Sequence, residues 1–146
     1  MLTDEAVRFF VYDHIMSAGL PPTVEQTGLE LSRTLDEVRV CFQSLAEKHM
    51  LVLQRGTGEI LMANPFSAVP TPFPVQVGNR LYYGNCIWDA LGIPAMLGKD
   101  ALIRTSCGCC GTAMSLSIEN GALQPATGVV QFALPVSRWW DNIVFT

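Results

Sequence analysis

The sequence predicts an α+β protein in two parts. The first is a winged-helix-like three-helix-plus-hairpin domain over residues 1–64; the second is a small mixed antiparallel α+β domain over residues 75–146. Three observations predict this. Apolar residues recur at helical spacing three times before residue 48, and a proline-rich stretch then divides the chain. Beyond it, short strand-like runs separated by Gly- and Asn-containing turns surround one helix.

The elements follow in order. Residues 4–18 (DEAVRFFVYDHIMSA) set Val7, Phe10, Val11 and His14/Ile15 at helical spacing, and Gly19 ends the run. After Pro21-Pro22, Thr23 with Gln26 has the form of a capping box and opens a short helix through Leu31. Thr34 with Glu37 repeats the signature and opens a third helix, striped by Leu35, Val38, Phe42, Leu45 and Ala46. MLVLQRGTGEILMA then reads as a hairpin turning around Arg55–Glu59.

Residues 65–74, PFSAVPTPFP, hold four prolines. Each lacks an amide donor, so the stretch predicts a linker rather than a helix or a central strand. VQVGNRLYYGN predicts a strand or hairpin turning at Gly78-Asn79. A helix from Asn85 to about Leu97 comes next, bent or shortened by Gly92 and Pro94. The strands ALIRTS and TAMSLSIE flank a CGCCG turn, and a turn at Asn120-Gly121 leads to a strand GVVQFALP and the aromatic SRWWDNIVFT.

With 49% hydrophobic and 15% charged residues, the 146-residue chain can bury a core. It has no apolar run of the roughly 20 residues a membrane span requires. MLTDEAVRFF has no basic opening segment, so a secretory signal is not expected and the protein reads as cytoplasmic. Its five cysteines are then thiols or metal ligands rather than disulfides. Residues 1–66 carry five basic and nine acidic groups, whereas residues 67–146 are balanced at four of each. DNA binding relies on Lys and Arg at phosphates. A third helix bearing Asp36, Glu37 and Glu47 therefore argues against DNA and for a packing or dimerisation module.

Two places carry chemistry. In GNCIWDALGIP, Asn85 as N-cap would set Cys86 in the first helical turn, where unpaired amides and the helix dipole lower a thiol pKa. Asp89 would share that helix face, in reach to move a proton at whatever the sulfur holds. Equally, Asp89 is a favourable first-turn acid and Cys86 a small core residue, as Cys41 is beside the third helix's stripe. In TSCGCCGTAMS, Cys107 and Cys110 form a C-x-x-C. A closed zinc site needs four ligands, and His14 and His49 lie in the other half. A dithiol for a soft ion such as mercury or copper(I), or merely a tight turn, is left.

The chain as a whole resembles the organomercurial (alkylmercury) lyase family. The resemblance is carried by RLYYGNCIWDALGIPAMLGKDALIRTSCGCCGTAMSLSI, then VQFALPVSRWWDNIVFT, behind the winged-helix-like region; C-x-x-D before an apolar helix is its most specific piece. It implies that the second domain is lyase-like and that the activity is protonolysis of a carbon–mercury bond. Cys86 would attack mercury as thiolate, Asp89 would help protonate the departing carbon, and Cys107 would be structural. The implied substrate is a small organomercury compound, with low-molecular-weight thiols as acceptors of Hg(II) and no organic cofactor. The family's second mercury-binding cysteine is expected just after the segment matching WWDNIVFT, where this sequence stops at Thr146. Either the sequence is a truncated product, whose apolar surface around Trp139, Trp140, Ile143 and Phe145 would favour aggregation or a partner, or it is a relative without the full cysteine pair, in which Cys109 or Cys110 would be the substitute mercury ligand. Two other functions fit the same residues: a thiol-based metal-responsive winged-helix regulator, and a relative that binds mercury without catalysis.

Overall fold

Each of the first three helices begins on a threonine. In the computed structural model, which describes residues 1–144, Thr3 accepts from the Ala6 amide at 3.2 Å and opens α1, Asp4–Ala18. Thr23–Gln26 and Thr34–Glu37 close full capping boxes at the starts of α2 (Val24–Leu31) and α3 (Leu35–Glu47), as their spacing predicts. Gly19, at φ +89°, ends α1 by donating to the Ile15 carbonyl at 2.7 Å.

After α3, strands β1 (Val52–Leu53) and β2 (Ile60–Ala63) pair antiparallel across the expected turn. The proline-rich stretch is not featureless: Phe66–Ser67 form β3, an edge strand on β2, and both residues are buried. Neither is a proline, so both can join the ladder. Pro74 opens β4 (Pro74–Val77) as its first residue, one of the few strand positions a proline tolerates.

Strand β4 pairs with β5 (Arg80–Tyr83) about the turn at Gly78-Asn79. Helix α4 (Ile87–Leu97) then crosses to β6 (Ala101–Ser106), which pairs with both β4 and β7 (Ala113–Glu119). A two-residue β8 (Ala122–Leu123) completes a five-stranded antiparallel sheet in the order β5-β4-β6-β7-β8. The fold is thus mixed α+β, with three helices ahead of two antiparallel sheets and α4 between β5 and β6. One apolar cluster runs through it, from Val7, Val11 and Ile15 of α1 through Phe42 and Phe66 to Val75, Ile93 and Ile103. The Tyr82 hydroxyl ties β5 to α1 by donating to the Met16 carbonyl at 2.9 Å.

Two local expectations are corrected. GVVQFALP forms no strand. The last rung beside β8 is Gln124 to the Ser117 carbonyl; Pro125 then removes a donor, Gly128 turns at φ +131°, and Val129 is 92% exposed. The chain then forms a 3₁₀ helix, Val136–Asp141, at the start of the aromatic stretch. Helix α4 is not cut short at Gly92 or Pro94: it runs to Leu97, with Pro94 buried inside it, and stops at Gly98 in the left-handed region. Burial of Ala90, Ile93 and Pro94 against the sheet offsets the hydrogen bond that proline forfeits.

Gly84 sets where α4 begins. Its amide donates to the Phe73 carbonyl at 3.0 Å and its carbonyl accepts from the Thr71 hydroxyl. A Cβ on it would lie 2.6 Å from the Ala90 nitrogen. Gly84→Ala should therefore destabilise the fold by about 1–3 kcal/mol, read as a lower urea midpoint at unchanged slope. A second prediction concerns Asp4, which bridges α1 to Lys48 and Ser44 of α3. Chiefly the Lys48 hydrogen bond, then that of Ser44, holds its carboxyl below the ordinary 3.8. That contribution is complete above pH 3.8 and vanishes as pH falls through the lower folded-state value. Asp4→Asn should cost about 1 kcal/mol or less at neutral pH and nothing in strong acid, by urea unfolding at the two pH values.

Candidate active site

Cys86 itself is the N-cap of α4. Its backbone is extended (φ −148°, ψ −177°), and its carbonyl accepts the first helical bond from Ala90 at 2.9 Å. The expected cap, Asn85, is otherwise engaged. Its side-chain amide donates to Asn64 Oδ1 at 3.2 Å and, more weakly, to the Pro65 carbonyl at 3.4 Å. Its side-chain and backbone amides also stabilise the Asp89 carboxylate. Asn85 is spent on tertiary contacts, so the cap moves one residue on.

The electrostatics differ from the expected direction. Cys86 is half-buried, and that burial pushes its thiol above the ordinary 9.0. The amides of Asp89 and Trp88 do pull it down, as a helix start should, but the sulfur closes no cap hydrogen bond and burial prevails. The Asp89 charge and its side-chain hydrogen bond to the thiol raise it further. Asp89 is likewise pushed above its ordinary 3.8 by burial, against the lowering effect of Asn85 and of Cys86. Burial thus disfavours the charged form of both the thiol and the carboxyl.

The pair opens on a cavity of about 200 Å³. Met62 and Asn64 line it from β2 and the turn after it; Asn85, Cys86, Trp88 and Asp89 line it from the start of α4. Trp139, Trp140 and Ile143, in and just after the 3₁₀ helix, close the far side. The aromatic stretch is held there by Trp139 Nε1 donating to the Leu134 carbonyl at 3.0 Å, by Phe132 between Trp88 and Trp139, and by His49 stacked 4.0 Å from Trp140. Tryptophan, isoleucine and methionine leave the cavity mostly apolar. The buried Asn85 Oδ1 has no hydrogen-bond partner in the structure. Such an arrangement can take a small apolar group bearing a thiol-seeking centre, with one proton carrier at hand.

A family model described as MerB, alkylmercury lyase, matches residues 66–146. The chain belongs to the alkylmercury lyase family. An alkylmercury lyase of Streptomyces lividans is 32% identical over 124 residues, which is 83% of this chain and 55% of that protein. The crystal structure of the mercury-bound form of MerB2 shares the fold. Its TM-score is 0.67 at 20% identity, over 84% of this chain and 58% of that one. The chain therefore spans little more than half the length of these alkylmercury lyases.

Of the sequence-predicted site residues, Cys86 and Asp89 come together in the cavity. Cys107, Cys109 and Cys110 do not line it. Cys107 is half-buried at the start of the β6–β7 turn, and Cys109 and Cys110 are exposed on it. The Cys110 thiol is held below the ordinary 9.0, first by the Thr112 hydroxyl and amide and then by Cys107. Cys41 is buried in the core, as its position beside the α3 stripe predicts. Among the described residues no three His, Cys, Asp or Glu side chains converge as a metal site, and no helix is long and apolar enough to cross a membrane. Sequence reasoning missed Asn64, Met62 and the tertiary role of Asn85. The one signal pointing that way is the Asn64-Pro65 step, which breaks the strand beside α4.

Because Asp89 raises the thiol by charge and by hydrogen bond, Asp89→Asn should shift the alkylation of Cys86 toward lower pH. The pH profile of iodoacetamide modification, read at Cys86 by mass spectrometry, checks this. Asn85→Ala should act on the other partner, raising the Asp89 pKa further, as read from its carboxyl carbon by NMR titration.

Proposed function

We propose that this chain is an organomercurial lyase, cleaving carbon–mercury bonds by protonolysis to a hydrocarbon and Hg(II). Membership of the family supports the reaction class. The observation that carries the assignment to residues is that the half-buried Cys86 thiol and Asp89 carboxyl line one mostly apolar cavity at the start of α4.

The substrate is an alkyl- or arylmercury ion carried on a low-molecular-weight thiolate, R–Hg–SR′. Thiolate is the preferred ligand of a soft cation. As the Cys86 sulfur bonds to mercury, its proton passes to the Asp89 carboxylate and R′S⁻ is displaced. Burial raises the proton affinity of Asp89, which favours that transfer. Asp89 then delivers the proton to carbon, the electron pair of the C–Hg bond takes it up, and R–H leaves. Hg(II) remains on the sulfur beside the restored carboxylate. R′S⁻ and one further R′SH remove it, the thiol proton returning to Cys86. The balance is R–Hg–SR′ plus R′SH giving R–H plus Hg(SR′)₂. No organic cofactor enters, since the electrons needed for the new C–H bond come from the C–Hg bond. The requirement for free thiols suits the cytoplasm.

The resting pair in this scheme is thiol and carboxylate, so activity falls when Asp89 is already protonated. The acid limb of kcat/KM should lie above pH 3.8, displaced in the direction burial gives Asp89. With methylmercury and excess cysteine, gas chromatography should detect methane well above the thiol-only control. Cys86→Ser should reduce it to that control, and Asp89→Asn should slow it by at least about 100-fold. Methane release unaltered in Cys86→Ser would defeat the assignment.

A further inference from the structure

The proposed reaction leaves the three cysteines of the β6–β7 turn unused. The ladder between these strands runs to Ser106 opposite Ala113, so residues 107–112 form the connecting turn. Two backbone bonds close it: Cys107 N–H to the Thr112 carbonyl and Gly111 N–H to the Cys107 carbonyl, both 2.8 Å. The second is a single turn of helix-like geometry, which sets residues three apart on one side. Gly111 at φ +72° lets the chain leave that turn into β7.

The consequence is a converging pair. Cys107 and Cys110, three apart on the turn closed by the Gly111-to-Cys107 backbone bond, stand on one side of it, and Cys110 Sγ lies 3.1 Å from Thr112 Oγ1. Cys110 is exposed and Cys107 half-buried, so the pair is open to solvent on one side and backed by the sheet end on the other. No third His, Cys, Asp or Glu among the described residues joins them as a metal site. A tetrahedral ion such as zinc asks for four ligands, whereas a soft ion that accepts two thiolates does not.

We infer that Cys107 and Cys110 form a two-thiol binding site for Hg(II) at the β6–β7 turn, separate from the Cys86 cavity. The choice of Hg(II) rests on the proposed lyase reaction, of which it is the product; the pairing of the two thiols does not. On binding, one Hg–S bond forms to each sulfur. The two low-molecular-weight thiolates that carried the ion leave, taking up the two protons released. Thr112 steadies the Cys110 sulfur, and the closed turn keeps both sulfurs on one side, so the ion meets a partly prearranged pair instead of two separate monothiols. Cys109, though adjacent in sequence, is not one of the ligands.

The test uses reduced full-length Cys86→Ser protein and inorganic Hg(II). No carbon–mercury bond is involved, so failure of the lyase reading cannot masquerade as failure here. Protein is mixed with Hg(II) in excess cysteine and desalted, and bound metal is counted by native mass spectrometry. About one Hg(II) per chain should be retained. Adding Cys110→Ser should lower retention by at least about tenfold, because one remaining thiol competes poorly with excess monothiol. Adding Cys109→Ser should leave retention unchanged. Both positions are exposed, which limits damage to the fold, and circular dichroism checks it. No retained Hg(II) in Cys86→Ser overturns the site. So does retention unaffected by Cys110→Ser, or lost as readily in Cys109→Ser as in Cys110→Ser.

Discussion

The close approach of Gly84 to Ala90 is the constraint on which the site depends. Strand β5 ends there, and the chain must turn at once into α4. Without a Cβ, Gly84 lets the first turn of α4 settle against the strand end. Its amide and carbonyl are both bonded to the segment before β4, and a bridge to Phe66 ties it to β3. The first helical bond, Ala90 to Cys86, is thereby placed next to the turn between β2 and β3. Asn85 can then reach Asn64 and Pro65, and the Cys86 sulfur and Asp89 carboxylate face Met62 and Asn64 across the cavity. A backbone contact at one glycine thus decides which side chains meet.

That placement explains what could and could not be read from the sequence. Caps of α2 and α3 were legible because Thr with Gln or Glu three residues on acts within one turn, needing nothing distant. The hairpin turns at Gly78 and at Asn120-Gly121 were legible for the same reason: their backbone demands are local. The start of α4 was not. Asn85 is a better cap than cysteine in isolation, but its amide is taken by residues about 20 positions earlier and by Asp89. Tertiary hydrogen bonds outbid the local preference. GVVQFALP failed as a strand for the converse reason: its composition suits a sheet, but after Gln124 the chain makes no further rung with β7.

The site was half legible. C-x-x-D on a helix start puts thiol and acid on one face wherever the cap falls within a residue or so, so the pairing of Cys86 with Asp89 survives the shift of the cap. The sign of the thiol shift does not follow from spacing, because it sets local amides against burial, and burial is a property of the whole fold. Likewise the tryptophans announce themselves as aromatic, but only the 3₁₀ turn and the contacts of Phe132 and His49 bring them to the cavity.

A raised thiol pKa is at first sight a defect in a nucleophile, yet in the proposed reaction it is the consistent choice. A free thiolate beside a carboxylate would put two negative charges in an apolar cavity, which burial penalises heavily. Keeping the proton on sulfur leaves a single charge on the pair. The incoming cation changes the balance. Mercury bonding to sulfur removes the cost of ionising it, and the displaced proton has one nearby acceptor, already raised in proton affinity by the same burial. The group that takes the thiol's proton is then the group positioned to give it to carbon. In the proposed reaction, burial thus holds the pair inert until a thiol-seeking cation arrives, and proton transfer and mercury capture become a single coupled event.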